Sequence, residues 1–329
     1  MTSALPTRPL GTSGLQVSVL GLGCNNLGRR AGPSASFEGS LAVVDAALEA
    51  GVTFFDVADV YGAVPGRSEE HLGKALGDRR DDVVLATKFG MDMRDAALAE
   101  LGPRAGARYL THALEASLRR LGTDRVDLFQ LHTPSDVVPF EETLEALDGL
   151  VRAGKVRAVG HSNLAGWQFG AAELAAAGRG GSLRFVSAQN HYNLLDRRAE
   201  LEVLPAARAF GLGVLPYFPL ANGLLTGKYA GGARPDGSRL VHSKPHLLED
   251  APWETLDALD AFARERGVEL LDVAIGWLLA QRPVASVIAG ATTPEQVRRN
   301  ARAVTWVPTA ADLAAIDEIV PPPAKIALF

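Results

Sequence analysis

Three groups able to hold and move protons crowd the end of one apolar run. The stretch "TFFDVADVYG" climbs through Phe54 and Phe55 and then places Asp56, Asp59 and Tyr61 within six residues. Two further apolar runs end in the same manner. "VVLATKFG" delivers Lys88, and "VDLFQLHTP" delivers Gln130 and His132. A carboxylate, a phenol, an ammonium and an imidazole are the groups of general acid–base chemistry. Taken singly, each has a plain structural explanation: a lysine in a solvated loop, a tyrosine in packing, a histidine satisfied in a core. Four such groups at the ends of three neighbouring buried segments would be costly as core alone, so they are read together as a site.

The elements that would position them repeat along the chain. Short apolar segments ("VSVLGLG", "TFFDVAD", "VVLATKF", "VDLFQLH", "VRAVGHS", "FVSAQNH", "GVLPYFP", "SVIAGAT") alternate with amphipathic helical patterns, several of which stop at glycine. The segments lack strict polar alternation, as strands buried on both faces do. Eight such units predict an α/β fold, a single (β/α)8 TIM barrel spanning residues 1–329 as one domain. An N-terminal β-hairpin is expected around Thr12–Gly14, a long aperiodic loop after strand 7 over residues 221–252, and an extra C-terminal helix in "AADLAAIDEIV" before "PPP". In such a barrel the chemistry sits at the C-terminal ends of the strands. Those ends carry the groups named above, followed by "GHSN", "QNHYN", "YFPLANG" and "AGATT".

Composition narrows the partners. With 329 residues and a net charge of −5 the chain is mildly acidic, so neither nucleic acid nor an anionic membrane is an expected partner. No apolar run approaches the roughly 18 residues of a membrane span, and "MTSALPTRPLG" has no signal-peptide pattern. The lone Cys24 excludes an intrachain disulfide and points to a reducing, cytoplasmic setting. No metal site is expected. "GLGCNNLG" imitates a dinucleotide-binding loop, but the third glycine is misplaced and "RRAGPSAS" follows where a helix should start. A glycine-rich barrel turn is the better reading.

Over nearly its whole length the chain resembles the aldo-keto reductase family, most closely the bacterial branch that is also similar to potassium-channel β-subunits. The resemblance is carried, in order, by "FFDVADVYGAVPGRSEEHLGKAL", "LATKFG", "SLRRLGTDRVDLFQLH", "GKVRAVGHSN", "AQNHYNLL" and "GLLTGKY". It implies a catalytic tetrad of Asp56, Tyr61, Lys88 and His132. Tyr61 would give a proton to a substrate carbonyl oxygen. Lys88 would lower its pKa, Asp56 would keep Lys88 charged, and His132 would donate a hydrogen bond to the same oxygen. Asp59 has no role in this scheme and is read as a loop-side turn or cap residue.

The resemblance also implies NADP(H), held without a Rossmann fold. Ser162, Asn163 and Gln189 would hold the carboxamide and Tyr217 would stack on the nicotinamide. Phe218, Pro219, Leu220 and Gly223 would follow the pyrophosphate, with Lys228 adding charge. Ordinary packing is the alternative for Tyr217 and Phe218. Gly290, Thr292, Gln296 and Asn300 match the adenine-end site. Gly290 and Gln296 stand where many members have cations, so Arg239, Arg298 and Arg299 would have to supply the 2′-phosphate contact, and NAD(H) is a second option. For Arg298 and Arg299 a solvated helix face is the alternative. Cys24-Asn25-Asn26 departs from the family at the pocket rim. The implied activity is reduction of an aldehyde or ketone, with a small-molecule carbonyl or alcohol as partner. A nicotinamide-binding regulatory subunit and a sugar dehydrogenase working oxidatively are the alternatives. A homo-oligomer is compatible with all three.

Overall fold

Alternation along short buried strands decides which side chains face the barrel interior. In the computed structural model, which describes residues 5–181, 183–235, 238, 240–241 and 244–324, β1 (Thr7–Pro9) and β2 (Gln16–Ser18) form an antiparallel hairpin. Eight parallel strands follow: β3 (Leu20–Gly23), β4 (Phe54–Asp56), β5 (Val84–Phe89), β6 (Val126–Leu131), β7 (Val156–Ser162), β8 (Ser187–Gln189), β9 (Gly213–Val214) and β10 (Val287–Gly290). Their lateral order is β10-β3-β4-β5-β6-β7-β8-β9. The seam between β9 and β10 is closed by Val214 N to Pro283 O at 3.0 Å, Ala285 N to Val214 O at 2.9 Å and Ile288 N to Pro216 O at 3.1 Å.

Phe54, Ala86, Leu128 and Ala158 pack in one cluster with Ile288, while Leu10, Leu15 and Val17 of the hairpin join it from the N-terminal side. Their neighbours Phe55, Leu85, Phe129 and Val159 pack instead against the surrounding helices. A strand repeats its facing every two residues, so Asp56, Lys88 and Gln130 face the way Phe54, Ala86 and Leu128 do. Gly160 continues that set, and its lack of a side chain is required: a Cβ there would lie 2.1 Å from Ser187 Oγ.

The helices that cover the strands are α1 (Phe37–Glu49), α2 (Arg67–Leu76), α3 (Ala107–Leu121), α4 (Phe140–Arg152), α5 (Gly166–Gly178), α6 (Val203–Phe210), α7 (Trp253–Glu265), α8 (Leu270–Ala280), α9 (Pro294–Ala303) and α10 (Ala310–Ile319). Local chemistry sets several boundaries. Ser36 caps α1 by accepting from Gly39 N, and α3 ends on left-handed Gly122. The glycine-rich segment after β3 turns through a short 3-10 helix, Cys24–Asn26, rather than opening a long helix. Cys24 is fully buried there, and burial pushes its thiol pKa far up, so it behaves as core.

Among its described residues the long segment after β9 is aperiodic, as expected, and is built from short turns. Short 3-10 turns occupy Ala221–Thr226 and Ala230–Gly232, and a brief helix runs over His246–Glu249. Turns this short carry no hydrophobic period. The final helix, α10, forms as expected, with Thr309 and Asp312 making a capping box. Among the described residues no helix is long and apolar enough to cross a membrane.

His161 lies on β7 with both ring nitrogens buried and without a hydrogen-bond partner among the described residues, its ring edge-on to Phe169 at 4.4 Å and Phe185 at 5.2 Å. Burial lowers its pKa to about 3. Below its ordinary value of about 6.5, the unfolded chain takes up a proton that the folded protein refuses. Stability is therefore lost as pH falls from there toward the folded value, by at most about 1.4 kcal/mol per pH unit. His161→Phe keeps the ring and removes the titration. Thermal unfolding followed from neutral to mildly acidic pH should lower the Tm of the wild type more than that of the variant. Equal losses would show that other groups set the acid sensitivity.

Candidate active site

Asp56 is the point on which the site converges. It ends β4, is almost fully buried, and accepts three hydrogen bonds from three other strands. Lys88 Nζ from β5 donates to Oδ2 at 2.6 Å. Gln130 Nε2 from β6 donates to Oδ1 at 3.1 Å, and Gln189 Nε2 from β8 donates to the same oxygen at 3.0 Å. Lys88, with no exposed surface, also donates to Val57 O at 3.0 Å. Burial works against its charge, but Asp56 and Tyr61 outweigh burial and hold the ammonium pKa above the usual lysine value.

Tyr61 and His132 complete the cluster. The Tyr61 ring lies 5.1 Å from Lys88 Nζ and edge-on to the His132 ring at 5.8 Å. Burial is the largest influence on Tyr61 and raises its pKa; Lys88 opposes this and Asp56 adds to it, so the phenol stays protonated. The expectation that Lys88 sets the net shift therefore changes: its pull is present but burial exceeds it. His132 is neutral. Burial, with Lys88 second, lowers its pKa to about 3, and its Nδ1 has no hydrogen-bond partner among the described residues.

Asp59 sits in a turn after β4, as expected, but the turn is buried. It is 1% exposed, and among the described residues neither carboxylate oxygen has a hydrogen-bond partner. Burial and the neighbouring Glu69 carboxylate hold its pKa well above the usual range. Glu69 itself is satisfied by Thr87 Oγ1 at 2.6 Å and Arg120 Nε at 2.7 Å.

The residues expected to hold a nicotinamide adjoin this cluster. Ser162 Oγ donates to Gln189 O at 2.8 Å. Asn163, left-handed at φ 61°, donates to His132 O at 2.9 Å and accepts from Tyr217 Oη at 2.8 Å. Beyond Tyr217 the backbone enters the left-handed region repeatedly: Phe218 (φ 49°), Ala221 (47°), Asn222 (58°) and Gly223 (105°). Strained non-glycine backbone of this kind concentrates at ligand-holding loops. A Cβ on Gly223 would lie 3.1 Å from Lys228 Nζ, so that lysine reaches over the turn. Pro219 is buried between half-buried Phe218 and Leu220. Lys244, a cation with no assigned role in the sequence reading, lies 5.7 Å from the Phe218 ring and 3.5 Å from Asn222 Oδ1.

At the other end of the expected cradle, Gly290 closes β10 beside Asn26, and Thr292 N donates to Gln296 Oε1 at 2.8 Å at the start of α9. Asn300 is buried. Arg299 is exposed and already paired with Glu269 at 2.6 Å, and Arg302 pairs with the same carboxylate. Arg298 meets Glu49 at 3.4 Å. Arg239 lies outside the described residues. A groove of about 870 Å³ opens beside the cluster, between the segments after β5 and β6; Met93, Arg94, Tyr109 and Thr133 are among its walls, and Asp56, Tyr61, Lys88 and His132 are not.

Residues 19–321 match the model of the aldo/keto reductase family. Among curated proteins the chain is 37% identical over 301 residues to an uncharacterized oxidoreductase, YrpG, of Bacillus subtilis (strain 168), covering 90% of each chain. It is 33% identical to an L-glyceraldehyde 3-phosphate reductase of Escherichia coli (strain K12), covering 94% of this chain and 91% of that one. It is 35% identical to a probable voltage-gated potassium channel subunit beta of Oryza sativa subsp. japonica, covering 91% of each.

Removing one member of a buried ion pair strands the other, at a cost of about 3–5 kcal/mol. Lys88→Met and Asp56→Asn should each lower unfolding free energy by about that much, while the double variant should cost clearly less than the sum. Urea unfolding of the four proteins measures the coupling. Additive losses would mean that the two side chains do not depend on each other.

Proposed function

Because this chain belongs to the aldo/keto reductase family, an oxidoreductase family, we propose that it is a cytoplasmic NADPH-dependent reductase of aldehydes or ketones. The observation that carries this reading is the arrangement around Tyr61: a protonated phenol beside an ammonium fixed by Asp56 and edge-on to a neutral imidazole. Tyr61 delivers its proton to the carbonyl oxygen as negative charge builds there. Lys88 stabilises the phenolate left behind, and this charge grows in effect because the surroundings are buried. His132, neutral across the working pH range, offers an N–H rather than a competing positive charge and orients the same oxygen. A nicotinamide, when bound, supplies the hydride to carbon.

The chain's own residues fit that cofactor. Ser162, Asn163 and Gln189 would hold the carboxamide, and Tyr217 would present its ring face to the nicotinamide. The left-handed backbone at Phe218, Ala221, Asn222 and Gly223 is of the strained kind that gathers at ligand-holding loops. Lys228 and Lys244 add positive charge to that loop. Thr292, Gln296 and Asn300 would meet the adenine end. For substrate, the reductase of L-glyceraldehyde 3-phosphate among the relatives makes small phosphorylated aldehydes the first class to assay.

Two measurements follow from these roles. Tyr61→Phe keeps the ring and removes the transferable proton. NADPH-consuming aldehyde turnover should fall by about 10²–10⁴-fold, with NADPH binding followed by fluorescence little changed. Near-normal turnover would remove Tyr61 from the acid's role. For cofactor choice, Glu269 competes with a 2′-phosphate for Arg299. Glu269→Gln should release the arginine and improve the apparent KM for NADPH up to about fivefold, the scale of an exposed ion pair. NADH should be unaffected. An equal change for both cofactors would exclude Arg299 as the phosphate contact.

A further inference from the structure

His191 stacks directly behind the ring proposed to receive the nicotinamide. Residues 191 and 217 are paired across a parallel bridge, which projects their side chains the same way. The two rings lie 7° from parallel with centroids 5.4 Å apart, an offset stack. Phe218 meets the same imidazole edge-on at 5.7 Å. Tyr217 is fixed at its other end by its bond to Asn163, which in turn holds the main chain of His132. A continuous set of contacts thus runs from His191 to the catalytic histidine.

The hydrogen bonds of His191 specify its protonation state. Nδ1 lies 3.1 Å from Asp196 Oδ2, and Nε2 lies 3.1 Å from Asn193 Nδ2. The Asn193 amide cannot turn freely. Its Oδ1 accepts from Leu195 N at 2.8 Å and Asp196 N at 2.9 Å, and its Nδ2 also donates to Phe218 O at 2.9 Å. An imidazole that donates from Nδ1 to Asp196 and accepts at Nε2 from Asn193 satisfies every partner. A second proton, on Nε2, would face an N–H donor, and relieving that clash would break the three bonds that hold Asn193. The charged groups around the ring are Asp196, Arg198, which pairs with Asp196 at 2.5 Å, and Lys244 beyond Phe218. Burial, with Arg198 in support and Asp196 opposing, keeps the His191 pKa below its ordinary value.

We infer that His191 is a positioning residue for the cofactor: as a neutral imidazole it backs the Tyr217 ring, and its protonation disrupts the stack and weakens nicotinamide binding. The inference rests on the reading that the nicotinamide lies on Tyr217. Its test is a set of fluorescence titrations with NADPH and NADH, which read binding rather than turnover. His191→Leu keeps bulk but offers no ring face; His191→Phe keeps the face and cannot titrate; Tyr217→Ala removes the receiving ring. At neutral pH, His191→Leu should raise the Kd of both cofactors about three- to tenfold, the worth of one aromatic pair, and His191→Phe should recover most of that loss. At about pH 5 the wild-type Kd for NADH, which lacks a titrating 2′-phosphate, should rise several-fold while that of His191→Phe stays level. If Tyr217→Ala weakens binding and His191→Leu does not, the inference is overturned and the nicotinamide reading stands. If Tyr217→Ala leaves Kd unchanged, the nicotinamide reading fails and takes the inference with it. A wild-type profile as level as that of His191→Phe would overturn the requirement for the neutral form.

Discussion

A buried ammonium against a buried carboxylate is the constraint on which the rest of this protein depends. Lys88 and Asp56 meet at 2.6 Å with almost no solvent exposure. Taking both charges out of water costs more than their attraction returns unless further bonds complete the carboxylate. Asp56 has those bonds, but they come from β6 and β8 as well as β5. The sheet must therefore curl far enough to bring four strand ends to one carboxylate. A flat sheet could not, because β4 and β8 are separated by three strands in the lateral order. Barrel curvature and the charged pair specify each other.

The pair also explains the contrasting states of its neighbours. The same low-dielectric surroundings that raise Tyr61 lower His132. Both end up neutral near physiological pH beside a charged lysine. That is a suitable resting state for carbonyl reduction: a phenol with its proton available, a positive charge ready to stabilise the phenolate, and no second cation drawing on the substrate oxygen. Behind them burial, with the Glu69 carboxylate second, holds the Asp59 pKa well above the usual carboxylate range.

The barrel, and the gathering of Asp56, Tyr61, Lys88 and His132 at one end of it, are legible because both depend on short-range pattern. Doubly buried strands announce a covered parallel sheet, and period-2 alternation carries Asp56, Lys88 and Gln130 to one side. What was not legible depends on partners distant in sequence. Gln130 stands at a strand end with no role readable from the sequence, and Gln189, expected at the carboxamide, has a further partner the sequence does not show: both donate to Asp56. Only the closed register shows it. Asp59 reads as a turn carboxylate and is one, but nothing local reveals that it is buried beside Glu69. Arg299 looked available for phosphate, whereas Glu269, thirty positions earlier, already holds it. Lys244 and His191 escaped notice for the same reason. One reaches its partners across the long segment after β9, and the other acts through a ring 26 positions away.

The most direct measurement of the central claim, that burial keeps Tyr61 protonated despite the adjacent ammonium, is the ultraviolet difference titration of the wild type against Tyr61→Phe. Subtraction isolates one phenol among the five tyrosines. The expected result is no phenolate absorbance from Tyr61 up to about pH 10, the ordinary tyrosine value. A Tyr61 phenolate already present near neutral pH would contradict the account, because the residue would then lack the proton that carbonyl reduction requires.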